Sequence, residues 1–202
     1  MSLDTLSDLR SSVADHLDRD DLTDQIDDFI RLAESRHRRD IRIREMIETE
    51  SLVVDDRTID LPDGFLQGVN LRLMTQPGMV LSEVSIHELN RNWRDTPGQP
   101  RMYAIQRQVE FEREPDQNYD AELTFYKAVT PLSDGNPSNP ILEIAPDCYL
   151  YASLMASAPF LLNDERVQLW GTLYSEARDA LNQVSRISRR IGPLVSRVGS
   201  VP

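Results

Sequence analysis

The chain has 202 residues, 40% of them apolar and 28% charged, and a formal net charge of −12. That apolar content excludes a disordered chain, and the length suits one domain or a domain carrying a sizeable insert. The acidic balance argues against an ordinary nucleic-acid binder, whose phosphate contacts need a basic face.

Taken in order, the first fifty residues read as two helices. Leu6, Leu9, Val13 and Leu17 recur at spacings of three and four, giving a short amphipathic helix that ends in the polar cluster Asp18–Asp21. Asp21 or Thr23 can cap a second helix with Leu22, Ile26, Phe29, Ile30 and Ala33 on one face. Its start is acidic and its later part carries Arg36, Arg38, Arg39, Arg42 and Arg44, the order the helix dipole favours. The pattern runs to about Met46.

From Ser51 the period changes to two. Leu52–Val54 and Thr58–Leu61 flank Asp55-Asp56, which predicts a tight hairpin. Leu61-Pro62-Asp63-Gly64 then turns the chain into the alternating run Val69–Met74, and Gln76-Pro77-Gly78-Met79 has the residues of a type II turn. Ser85 and Glu88 have capping-box spacing for a helix near 86–93. Strands are expected around 102–106 and 109–112, then a longer one with Tyr119, Ala121, Leu123 and Phe125 on one face. Thr130 to Pro140 reads as a loop.

The stretch Ala145–Leu162 is apolar on every side apart from Ser153 and Ser157, so it predicts a helix surrounded by protein. Pro146 and Asp147 suit its first turn, and Pro159 predicts a kink or an early end. Two tyrosines, two serines and two prolines make it a core helix and not a membrane span. Its Cys148 is the single cysteine, read as a buried structural thiol with no disulfide available in the chain. Asn163 or Asp164 caps a last long helix whose stripe is Val167, Trp170, Leu173, Ala177, Leu181, Val184 and Ile187. Residues 191–202 hold two glycines, two prolines and two serines and read as an extended tail.

The fold class is therefore α+β. The N- and C-terminal helical pairs (1–50 and 141–190) form a four-helix bundle, residues 51–140 form an inserted antiparallel β domain, and residues 191–202 form a C-terminal arm.

No catalytic constellation stands out. His16, His37 and His87 lie in different elements with no Cys or second His at ligand spacing, and read as surface or helix-end histidines. Asp18, Asp20, Asp21 and Asp24 lack the glycine and closing glutamate of a calcium loop and read as a solvated turn. Trp93 and Trp170 read as packing anchors. No cofactor, metal site or enzymatic activity is expected. The start MSLDTLSDLR has neither the basic residues nor the apolar run of a signal peptide, so the chain is expected in the cytosol.

Residues 1–34 hold ten acidic and three basic side chains, whereas no acidic residue follows Asp179. Arg186, Arg189, Arg190 and Arg197 then form a basic end. It reads either as a solvated helix terminus or as an arm for an acidic partner.

Three segments carry a resemblance. They are Ala145-Pro146-Asp147-Cys148-Tyr149-Leu150-Tyr151-Ala152 continuing through Ala158-Pro159-Phe160-Leu161 to Asp164-Glu165-Arg166; Phe29-Ile30-Arg31-Leu32-Ala33-Glu34 followed by arginines; and Leu61-Pro62-Asp63-Gly64-Phe65. Together they resemble the head-to-tail adaptor (connector) proteins of tailed phages, over about residues 22–190. The resemblance implies a structural virion-neck protein, assembled in the host cytoplasm. It would form a ring, usually twelve-fold, between the portal protein and tail or nozzle proteins, with DNA passing through as non-specific cargo and no membrane involved. The C-terminal extension would then reach the portal or a neighbouring subunit through Arg186, Arg189, Arg190, Ile191, Leu194, Val195, Arg197 and Val198. Competing readings are another neck or tail component (a head-completion or tail-terminator protein) and a non-viral helical interaction module.

Overall fold

Thr5 starts the first helix, α1 (Leu6–Leu17), through a reciprocal capping box. Its hydroxyl accepts from the Asp8 amide at 3.2 Å, while the Asp8 carboxylate accepts from the Thr5 amide at 3.1 Å. The computed structural model describes residues 3–75, 77–161 and 165–190, excepting the side chains of Asp20, Thr23 and residues 186–190. Two compact units emerge, one from the described parts of Met1–Glu45 with Val129–Pro202 and one from Met46–Ala128.

In the helical unit, α1 buries Leu6, Leu9, Val13 and Leu17 as its spacing requires, and Asp18 ends it in the left-handed conformation at φ 51°. The second helix does not begin at a side-chain cap. A single 3-10 stretch, Asp20–Gln25, leads into α2 (Ile26–Asp40), whose N-cap Gln25 makes no side-chain capping bond. Nor does α2 run to Met46. It stops at Asp40, where Ile41 is extended, and both Ile41 and Ile43 are buried. Asn182 holds that stop, donating to the Asp40 carbonyl and accepting from the Arg42 amide, both at 2.9 Å.

The return segment carries a short helix absent from the sequence reading, α4 (Pro140–Ile144). Asn139 caps it, its side-chain oxygen accepting from the Leu142 amide at 3.0 Å. The apolar helix α5 (Pro146–Ala156) follows with Pro146 in its first turn. It ends early, as Pro159 demands, and a 3-10 turn covers Ala158–Phe160. Its neighbours are α1, α2, α4 and the last helix, α6 (Arg166–Arg190), so it has protein on most of its circumference. The expected α6 caps, Asn163 and Asp164, lie outside the described residues. Its buried stripe is Trp170, Tyr174, Leu181 and Ser185, and Val184, expected in that stripe, is 64% exposed. Heptad-like spacing places 184 near the edge of the face, and Ser185 turns inward instead.

The β unit has two four-stranded sheets. The first has the order β1 (Ile47–Val54), β8 (Tyr119–Lys127), β3 (Phe65–Leu73), β4 (Met79–Val80); the second has β2 (Thr58–Asp60), β7 (Gln108–Phe111), β6 (Met102–Ile105), β5 (Ser82–Glu83). All pairings are antiparallel except β5 with β6. The hairpin expected across Asp55-Asp56 does not form. β1 pairs along its whole length with β8, and β2 pairs with β7 in the other sheet, so Asp55-Asp56 carries the chain between sheets. The long alternating strand β8 offers partners on both sides, and its non-local pairing outweighs the local turn signal.

Val54, Leu71, Leu73, Tyr103, Phe111, Leu123 and Phe125 belong to one buried cluster shared by the two sheets. Tyr119, Ala121, Leu123 and Phe125 face inward as their alternation predicts. The Pro62–Phe65 turn is closed by the Phe65 amide donating to the Pro62 carbonyl at 3.1 Å, with Gly64 at φ +74°. Ser85 caps α3 (Ile86–Arg91) by accepting from the Glu88 amide at 3.2 Å.

Candidate interaction surface

The arginine-rich end expected to carry contacts begins on the last turns of α6. Arg186, Arg189 and Arg190 are helical there, and their side chains lie outside the described residues. Ile191, Leu194, Val195, Arg197 and Val198 also lie outside them.

The ionisable groups inside the helical unit serve packing. His37 is 2% exposed and does not lie at the surface. It follows Phe29, Ile30 and Ala33 at helical spacing, which was the signal for an inward position. Its ring meets Tyr149 edge-on at 4.5 Å and stacks with Tyr174 at 6.0 Å. One ring nitrogen lies 3.3 Å from the Cys148 carbonyl. Burial drives the imidazole down to about 4, so it is neutral at physiological pH. Burial likewise pushes the Cys148 thiol up to about 12, which removes its thiolate character.

Tyr149 accepts from Asn139 at 2.7 Å and donates to Glu34 at 3.4 Å, and Glu34 also accepts from the Leu132 amide at 2.6 Å. Desolvation raises the Glu34 carboxyl. These bonds pin the return segment to α2. Arg10 adds a second pin, reaching Asp27 at 2.6 and 3.0 Å and Asp134 at 3.0 Å. A neutral buried imidazole and a protonated thiol make poor catalysts, and among the described residues no three His, Cys, Asp or Glu side chains are grouped to hold a metal.

The β unit holds an arrangement that the sequence reading missed. Glu112 is 1% exposed although its neighbours alternate in the strand pattern. Its two oxygens accept from the Arg101 amide at 3.0 and 3.2 Å and from the Met102 amide at 3.0 Å. The Arg113 Nε lies 3.4 Å away. Around this carboxylate is a cleft of about 250 Å³ lined by Arg94, Gln99, Arg101, Met102, Glu112 and Arg113. Gly98 lies under the Arg113 guanidinium, where a Cβ would fall 2.7 Å from Nη1.

Beside the cleft, Trp93 is not a packing anchor: it is 39% exposed, with the Arg57 guanidinium over its ring. Its indole N–H donates to Asp95 at 2.5 Å. Trp170, by contrast, is buried as expected. Trp170 falls in the periodic apolar stripe of α6, whereas nothing local marks Trp93 or Glu112. Arg94, Arg101 and Arg113 are spread over twenty residues and meet only through strand pairing and the backbone bond from the Arg94 amide to the Glu112 carbonyl at 3.0 Å.

The family model described as SU10 adaptor protein matches residues 4–197, and the chain belongs to this phage-related family of structural adaptors. Comparison with curated proteins found no match. No helix among the described residues is long and apolar enough to cross a membrane.

Proposed function

We propose that the protein is a head-to-tail adaptor that forms a ring, twelve-fold by the family resemblance, between a portal protein and the tail or nozzle proteins of a virion neck. DNA passes through the ring without sequence recognition. The observation that carries this reading is the extent of the family match, from residue 4 to residue 197, which takes in both units and the whole of the last helix. In this reading α1, α2, α5 and α6 act as a four-helix bundle. Residues 191–202, with Arg186, Arg189 and Arg190 before them, act as an arm toward the portal or a neighbouring subunit. A net charge of −12 suits a channel wall, because acidic side chains repel passing phosphates and keep them from sticking.

The test is the mass of the purified chain alone and with a portal protein of the same particle. A stoichiometric ring-on-ring complex supports the adaptor reading, and deletion of residues 191–202 should then weaken it. A chain that ignores the portal at micromolar concentration removes the reading's support. A ring lumen lined mainly by arginine would sink the channel-wall argument.

A further inference from the structure

The cleft around Glu112 concentrates positive charge on a strongly acidic chain. Three guanidinium groups line it against one carboxylate, and that carboxylate is already occupied by two backbone amides and Arg113. Among the described residues neither the Arg94 nor the Arg101 side chain has an ion-pair partner, and both residues are exposed. Arg113 is held between Glu112 and Gly98, so one wall of the cleft is set before any ligand arrives. Guanidinium groups at a rigid concave site match carboxylates through paired N–H donors, at little entropic cost for the side chain already fixed.

The complementary surface is on the same chain. The end of α1 and the 3-10 stretch after it carry Asp15, Asp18 and Asp24, all exposed. None of the three has an ion-pair partner among the described residues. Nearby Asp21 and Asp27 are already matched by Arg19 and Arg10.

We propose that the Arg94–Arg101–Arg113 cleft of one copy receives the acidic Asp15–Asp24 turn of a second copy. Such a contact is heterologous, one patch meeting a different patch, and repeated copies of it close into a ring or run on as a filament. The inference rests on the ring in the adaptor reading and names the contact that would build it. A nucleic-acid ligand is disfavoured because the cleft floor is a carboxylate and the surrounding chain is acidic. Charge of this kind speeds and orients association more than it deepens affinity, so added salt should weaken assembly.

The test uses the full chain and two charge-reversal variants, R94E/R101E and D15K/D18K/D24K, followed by sedimentation equilibrium. The altered residues are exposed, and unchanged melting temperatures would show that both variants fold; R94A/R101A serves in place of R94E/R101E if the reversal lowers expression. Each variant alone should lose at least about tenfold in association constant, and an equimolar mixture should recover it, because each supplies the partner surface that the other lacks. Wild-type-like association of both variants, or a wild-type chain still monomeric near about 1 mM, overturns the proposal. So does wild-type binding to a DNA duplex at physiological salt that R94E/R101E abolishes, which would assign the cleft to nucleic acid. Portal binding separates the two readings. A normal portal complex with self-association indifferent to both variants defeats the cleft assignment alone. Cleft-dependent self-association without portal binding defeats the adaptor reading alone.

Discussion

Replacing Glu112 with alanine should be among the most damaging single changes in the β unit. The carboxylate is 1% exposed, takes the amides of Arg101 and Met102, and faces the Arg113 guanidinium, itself 17% exposed. Alanine leaves two amides without their acceptor and a largely buried cation without its counter-charge. Hydrogen bonds to a charged group are each worth about 1.5–3 kcal/mol. Removing one member of a buried pair costs about 3–5 kcal/mol, and since these contributions overlap, the total should be about 3–5 kcal/mol and not their sum. Glu112→Gln keeps an acceptor oxygen for the amides but turns an amide N–H₂ toward Arg113, so it should lie between wild type and alanine. Urea unfolding followed by amide exchange at strand positions of β6 and β7 would measure this within the β unit, since the helical unit need not unfold at the same midpoint. A loss under about 1 kcal/mol for Glu112→Ala would mean that water replaces the carboxylate, and that the cleft is not pre-set by this group.

Three further perturbations test other parts of the fold. His37 has its folded-state value lowered to about 4 by burial, so the unfolded chain binds the proton first as pH falls; stability should be full above about pH 6.5 and decline by up to about 3 kcal/mol toward pH 4, and an imidazole NMR titration near 6.5 would refute the burial argument. Asn182→Ala removes both bonds that close the end of α2 and should cost about 1–3 kcal/mol, read as a lower melting temperature and faster amide exchange at Arg42. Gly64 sits at φ +74°, where a Cβ is strained, so Gly64→Ala should cost about 1–2 kcal/mol and Gly64→Asn less; equal stability of all three in urea would refute the turn assignment.

What local pattern decides, the amino-acid order already determined. The apolar faces of α1 and α2, the all-round apolarity of α5, the early stop at Pro159, the alternation of β8 and the turn at Gly64 follow from spacing, chirality and backbone chemistry within a few residues. The inward position of His37 was legible too, since it completes the stripe of Phe29, Ile30 and Ala33. Other features depended on groups distant in sequence. Only tertiary structure ended α2 at Asp40, because the holding side chain is Asn182. Asp55-Asp56 became a passage between sheets because β1 found a better partner in β8, 77 residues away in sequence at Glu48 and Phe125. Glu112 looked like any exposed strand glutamate until the backbone of Arg101 and Met102 was brought against it. Hydrogen bonds and charge pairs are short-ranged and satisfied by whichever group arrives, so their partners are decided where strands and helices meet and leave little trace in the order of residues.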